Sequence, residues 1–434
     1  MVAWPFFFDR GGTDWGTDVA VWRGDTVYAI FWSYTNSAYG ADVTLLKLDP
    51  LGGVVWTFVD SMPGEQFARG LALDSSGNVY VAFWDRQTGT RRSGLVKVSP
   101  QGVALWHAYR QVHDSSDAYD VAVNSEVGRV YVAGTGFLGG HEEIFLWALD
   151  TLGTDLYVRT WNAGVWPYDI DIARAVTINR GDTVVVGGET REFLDDFHPL
   201  LLFYRGSDGA LLKADTLETV ETSSDDCVEG LVADPASGKI YGVTRNLTST
   251  PYGYVFAWTY SGRLWERAIN VPSGQWKLYG IAKWGSLLAA SGLSTALGSV
   301  DLAVVFLDTM GNRYYSADSI EERGTEDEVW DDVAFNSLGC AVLCGRVADN
   351  GYVQEICPTS LGNEEAAGRP PLRVWPNPFR GSFRVEGANP PFRLYDAAGR
   401  LARVYRTTEG LGKGLEPGVY YLEAGKCRVR LIKE

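Results

Sequence analysis

One short pattern constrains this chain more than any other feature. It is Asp, Gly or Ala, then a large aliphatic, usually a small residue, and usually another apolar one. It recurs seven times, as Asp18-Val-Ala-Val21, Gly70-Leu-Ala-Leu73, Asp120-Val-Ala-Val123, Ala175-Val-Thr-Ile178, Gly230-Leu-Val-Ala233, Gly280-Ile-Ala-Lys283 and Asp332-Val-Ala-Phe335. The intervals are 52, 50, 55, 55, 50 and 52 residues, a period that signals a repeat architecture. Each copy continues with a Gly-bearing turn, such as Ser75-Ser-Gly-Asn78, and a β-rich run such as Val79-Tyr-Val-Ala-Phe-Trp84. A third run follows (Leu45-Leu-Lys-Leu-Asp49, Leu95-Val-Lys-Val-Ser99), then a Gly turn and a fourth (Val54-Val-Trp56, Ala104-Leu-Trp106). Four short strands joined by turns in about 50 residues make one blade of a β-propeller. Runs such as Val304-Val-Phe-Leu307 are apolar on both faces, as blades covered on both sides require.

The seventh copy lacks a convincing fourth strand after Tyr352-Val-Gln-Glu-Ile356, and the start of the chain supplies one. Trp4 precedes Asp18 by 14 residues, the interval that also separates Trp56 from Gly70, Trp106 from Asp120 and Trp161 from Ala175. Residues 1–8 are therefore expected to form the outer strand of the last blade and close the ring, leaving no open edge. The fold class expected is all-β: a seven-bladed β-propeller over residues 1–360, followed by a small immunoglobulin-like β-sandwich.

Composition agrees. Fifty Gly suit turns, and 16 Trp, 22 Tyr and 18 Phe suit strand faces. No apolar run is long enough for a membrane-spanning helix, and a net charge of −16 argues against general nucleic-acid binding. The charge is uneven: from Pro370 onward 12 Lys+Arg face 6 Asp+Glu, a net of +6 that leaves −22 on the rest. The polar, Pro/Gly-bearing stretch 361–371 reads as a linker between an acidic propeller and a basic domain, 372–434.

Gly77-Asn-Val-Tyr-Val-Ala-Phe83 and Leu46-Lys-Leu-Asp-Pro-Leu-Gly52 resemble the bacterial seven-bladed propeller repeat. The Asp…Gly…Trp hairpin is also similar to that of quinone-dependent dehydrogenase propellers, which have eight blades and cofactor residues not found here. The C-terminal segment carries Val374-Trp-Pro-Asn-Pro-Phe379, Phe383-Arg-Val385, Leu394-Tyr-Asp-Ala-Ala-Gly-Arg-Leu401, Leu415-Glu-Pro-Gly-Val-Tyr-Tyr-Leu422 and Arg428-Val-Arg-Leu-Ile-Lys433. In that order these resemble the type A C-terminal sorting domain of type IX secretion cargo. The matching positions are Pro376, Asn377, Pro378, Tyr395, Asp396, Gly399, Arg400, Gly418, Val419, Tyr420 and Lys433; Trp375 and Arg430 depart from the commoner Tyr and Lys. The resemblance implies an immunoglobulin-like sandwich and type IX secretion machinery as partner, with delivery to the extracellular space or outer-membrane surface of a Gram-negative-type bacterium. Met1-Val-Ala-Trp-Pro-Phe has no charged n-region or cleavage site, so the chain reads as a mature or trimmed form.

Candidate chemistry is sparse. No Gly-x-Ser-x-Gly elbow, phosphate-binding Gly-Lys loop or His-Glu-x-x-His helix occurs, and His107, His113, His141 and His198 lack metal-ligand spacing. The Arg-Gly-Asp triplets at Arg23 and Arg180 fall at a repeat turn. Cys340 and Cys357 would face each other across a hairpin centred near Ala348–Asp349, where a disulfide suits an exported protein; buried thiols are the alternative. Acidic residues accumulate just before the first-strand motifs: Asp14 and Asp18, Asp117 and Asp120, Asp171, Asp226, Glu328 and Asp332. Read as lying on loops that enter the blades, they would ring one mouth of the channel and favour Ca²⁺ or a cationic ligand. The competing reading has them accept backbone N–H bonds at turns. No catalytic residue and no cofactor beyond Ca²⁺ is indicated. The function expected is a secreted or surface binding or structural module for a glycan, a protein or another copy of itself. The alternative is a carbohydrate-active enzyme, a lyase or glycosidase, on the same scaffold.

Overall fold

The computed structural model describes residues 2–34, 40–87, 89–164, 169–191, 197–217, 226–246, 253–269, 275–295, 300–314, 318–321, 328–358, 373–375, 380–386, 391–396, 401–424 and 427–433. It divides into two compact units, one built on Val2–Trp22 and Thr26–Ile356, the other on Cys357–Glu434. Among the described residues no helix is long and apolar enough to cross a membrane.

The first unit is a β-propeller that, among the described residues, has seven four-stranded antiparallel blades, the third and fourth linked by one parallel bridge between Glu142 and Ile170. The innermost strands are Thr13–Trp22, Glu65–Leu73, Ser115–Asn124, Ile170–Asn179, Asp226–Asp234, Trp276–Trp284 and Glu328–Phe335. Each packs against the next, and the seventh against the first. In the last blade the outer strand is Val2–Phe8, paired antiparallel with Asn350–Ile356.

Burial follows the blade seams. Seven apolar clusters each combine one blade with its neighbour: Tyr28, Ile30, Val43 and Leu45 of blade one meet Leu71, Val81, Phe83 and Val96 of blade two. At the closing seam Trp4, Phe8, Val342 and Val353 meet Val19, Val27, Phe31 and Leu46. A strand covered on both faces needs apolar residues at every position, and each such side chain contributes about 1.5–3 kcal/mol.

The Asp…Gly…Trp hairpin is a clasp between blades. Asp49 Oδ1 accepts the N–H groups of Leu51 (2.7 Å) and Gly53 (2.9 Å), shaping the turn, and Asp150 and Asp308 do the same in blades three and six. The outer-strand Trp of the preceding blade lies on the turn's glycine: Trp4 on Gly52, Trp56 on Gly102, Trp106 on Gly153. These glycines have positive φ, and a Cβ on Gly52 would come within 2.6 Å of the Trp4 ring. The Trp56 indole then donates to the Pro100 carbonyl at 3.0 Å, joined there by Lys47 Nζ at 3.0 Å.

The second unit has a two-stranded sheet, Arg373–Trp375 with Arg384–Glu386. It also has a four-stranded one in the order Leu401–Tyr405, Phe392–Asp396, Gly418–Ala424, Cys427–Lys433. Phe383, Phe392, Leu394, Tyr405, Leu411, Leu422 and Leu431 form its core. Pro376, Asn377, Pro378, Gly399, Arg400 and the stretch 361–371 lie outside the described residues.

Candidate functional site

Every innermost strand carries a β-bulge at the same register. Pairing with the second strand slips between Gly16 and Asp18, Ala68 and Gly70, Ala118 and Asp120, Ala173 and Ala175, Val228 and Gly230, Leu278 and Gly280, Trp330 and Asp332. A bulge leaves one residue unpaired and re-aims its side chain. The seven residues so placed are Thr17, Arg69, Tyr119, Arg174, Glu229, Tyr279 and Asp331, all half-buried. They form one electrostatic ring. The guanidiniums of Arg69 and Arg174 lie over the Tyr119 ring at 5.5 and 5.3 Å, and Arg69 and Glu229 both act on Asp331.

One arc of the ring is acidic. Burial works to raise Glu229, but Arg174 and Arg245 (2.5 Å away) overcome it and hold its carboxyl below the ordinary glutamate value. Burial pushes Asp331 up to about 7, although Trp15 Nε1 donates to it at 2.7 Å and Arg346 and Arg69 favour its charged form.

The carboxylates predicted as a binding ring have a different place. They lie not on loops but on the innermost strands, which begin four or five residues before each motif, and that half of the strand packs against the neighbouring blades. Asp18, Asp120 and Asp332 follow the bulges and reach to the next blade: Asp18 accepts from Leu71 N (2.5 Å), Asp120 from Val176 N (2.7 Å), Asp332 from Val19 N (3.3 Å). A Cβ on Gly70 would meet Asp120 at 2.6 Å, so the small residues of the repeat make room for this bond. Burial raises all three, Asp120 to about 7 and Asp332 to about 6; Asp18 is raised well above the ordinary value, by burial and by the neighbouring Asp332. Asp14 accepts from Arg10 N (2.7 Å), Asp117 pairs with Arg91 (2.9 Å) and Asp171 accepts from Ala163 N (3.0 Å). Asp226 and Glu328 are buried. Burial lifts Asp117 and Asp171 to about 6.

Among the described residues, the one group whose ligand atoms all lie within 4.8 Å of one another is Cys340, Glu355 and Cys357. Both cysteines are disulfide-bonded, and a disulfide offers a metal no thiolate. Cys227 and Cys344 are buried free thiols. His107 and His113 each face one carboxylate, Asp60 and Glu143, at 3.0 Å. Asp182 of the second Arg-Gly-Asp is held by Asn124, Arg129 and Tyr131 of the neighbouring blade.

Above the bulges, at the mouth where the innermost strands begin, blades one and two carry a row of aromatic rings. Trp15 meets Trp32 (5.4 Å between centroids), Trp32 meets Phe67 (5.2 Å), and Phe67 stacks on Trp84 (4.2 Å, 18°). Guanidiniums close both ends: Arg346 lies 3.7 Å over Trp15, and Arg91 lies 5.5 Å over Trp84 and 4.6 Å over Phe137. Trp15, Trp32 and Phe67 remain partly exposed. Neither this arc nor the bulge ring was singled out by the sequence reading. The available signal was the residue just before each Asp/Gly/Ala, where the repeat abandons its pattern for Thr, Arg, Tyr or an acid.

No protein-family model and no curated protein matches the chain. Solved structures do. The structure of U3-55K aligns with a TM-score of 0.52 at 12% identity, over 81% of this chain and 98% of that one. The β-propeller domain of the Trilobed protease from Pyrococcus furiosus gives 0.47 at 10% identity, over 79% and 93%. The polysaccharide lyase Uly1 gives 0.48 at 10% identity, over 79% and 89%. Likeness at this identity concerns the fold.

Proposed function

We propose that this chain is a secreted or cell-surface binding module whose propeller mouth takes a ring-bearing ligand, a glycan. The observation that carries this reading is the aromatic arc Trp15–Trp32–Phe67–Trp84. Partly exposed rings held in contact along a mouth are costly to leave in water, and they offer apolar surface for the flat faces of sugars while the polar ring beneath fixes orientation. The C-terminal unit serves export, on the strength of its resemblance to type IX sorting domains. A reporter carrying residues 372–434 and a signal peptide tests this: surface display in a host with the type IX machinery is expected, and retention in the periplasm contradicts it.

A second reading, a carbohydrate-active enzyme, is favoured by Tyr119, whose phenol lies between two guanidiniums on the channel wall. Binding measured by calorimetry against a set of oligosaccharides, with chromatography of the mixture after incubation, separates the two. The module is expected to bind without altering the sugar; release of shorter or unsaturated products replaces it with the enzyme. A calcium titration in the same cell tests whether the buried carboxylates take the ion.

A further inference from the structure

The guanidiniums of the propeller mouth fall into two groups. Arg91, Arg174 and Arg245 each have a carboxylate partner: Asp117 at 2.9 Å, Glu189 at 2.8 Å and Glu229 at 2.5 Å. Arg69 and Arg346 have no ion pair within 4.0 Å among the described residues; a buried Nε without a hydrogen-bond partner is a feature they share with Arg174 and Arg245, so the missing carboxylate is what sets them apart. Arg346 closes one end of the aromatic arc, and Arg69 lies in the bulge ring beneath it. Arg69 occupies the bulge two residues after Phe67, and Arg346 lies against Trp15. Asp331 acts on both, and Asp117, already paired with Arg91, acts on Arg69 as well. Asp331 already accepts the Trp15 indole N–H, and burial raises it to about 7. A chain of net charge −16 thus keeps two guanidiniums without an ion-pair partner among the described residues, beside its exposed ring surface.

Resting on the reading of the arc as a glycan platform, we infer that its ligand is an acidic saccharide, whose carboxylate or sulfate is taken by Arg69 and Arg346 while its ring lies on Trp32 and Phe67. The planar fork of a guanidinium matches both oxyanions in two-point contact, and a stacked arginine is already oriented for it. A neutral sugar leaves the two guanidiniums without a counter-charge, so charge discriminates between saccharides of the same shape.

Calorimetry on the full chain tests this with three probes: an oligogalacturonate, its methyl ester, and a sulfated galactan oligomer. The acid form is expected to bind about tenfold to hundredfold more tightly than its ester, as charged hydrogen bonds of this kind predict. Whichever of the uronate and the sulfate binds better names the source of the oxyanion. Arg69→Gln and Arg346→Gln should each collapse the acid-to-ester ratio toward one, Arg69→Lys should retain part of it, and the distant Arg110→Gln should leave it unchanged. A melting curve for each variant separates lost folding from lost preference. Equal binding of acid and ester, or an unchanged ratio in both glutamine variants, overturns the inference and leaves the glycan reading standing. Absence of binding by all three saccharides together with tight binding of a nucleotide or an acidic peptide overturns both.

Discussion

The outer hairpins and the inner mouth of the propeller use the same sevenfold frame in opposite ways. At the hairpins of blades one, two, three and six the chemistry repeats: an Asp or Ser shapes the turn and a glycine at positive φ admits an indole, which at three of them donates to a carbonyl of the next blade, as in Trp56 with Pro100 and Trp106 with Thr151. At the bulges the geometry repeats and the chemistry does not. Seven equivalent positions hold Thr17, Arg69, Tyr119, Arg174, Glu229, Tyr279 and Asp331. Architecture accounts for a residue that recurs from blade to blade. A position fixed in space but varied in its side chain is free to meet a ligand.

The largest effect expected from breaking the architectural side is loss of the closing strand. Deleting residues 2–8 removes Trp4 and Phe8 from the seam between blades seven and one and bares the edge of Asn350–Ile356. The truncated chain should aggregate or melt far below the intact protein; an unchanged melting curve refutes the role of this strand. Next comes Trp56→Ala, which empties the clasp on Gly102 and frees the Pro100 carbonyl. It should cost about 3–5 kcal/mol in denaturant unfolding, while ligand affinity stays as it was.

These contrasts also show what could be read from sequence. Periodicity alone leads from Asp18, Gly70 and Asp120 to seven four-stranded blades, because a buried strand must be apolar and a hairpin must turn. The equal spacing of Trp4 and Trp56 from their motifs reflects one clasp, seen again in how both rings lie on turn glycines. The bulges were not legible, since an extra residue in a strand needs no special side chain. Without them, Asp14 and Asp117 look like loop residues, and Arg69 looks like a charge diluting an acidic cluster. The aromatic arc joins residues from two strands in each of two blades, a proximity that no linear spacing states. For the C-terminal unit, Phe392 and Leu394 alternate with exposed Arg393 as a half-buried strand should, while its sorting role rests on resemblance.

A smaller effect sharpens the place of the buried carboxylates. Asp120→Ala leaves the Val176 and Val121 N–H groups without their acceptor and should cost about 1–3 kcal/mol. Smaller still is a pH trend. Burial pushes Asp120 and Asp331 up to about 7, and Asp117, Asp171 and Asp332 up to about 6, all above the carboxylate value of the unfolded chain. The folded protein therefore binds more protons than the unfolded one between about pH 4 and 7, and their stabilising contribution, full at the acidic end, is lost as pH rises through that window. Melting temperature should fall from pH 5 to pH 8; a rise across the same range would show these groups ionised in the fold.

The claim that repeating positions build and varying positions bind is tested most directly by pairing Trp56→Ala with the double variant Trp32→Ala, Phe67→Ala. Each is measured for unfolding free energy and for calorimetric affinity toward the best-binding saccharide. The account predicts a crossed result: Trp56→Ala loses stability and keeps affinity, whereas the double variant loses affinity by about tenfold or more and keeps most of its stability. A double variant that binds as the parent chain does, or a Trp56→Ala protein that folds normally but no longer binds, contradicts it.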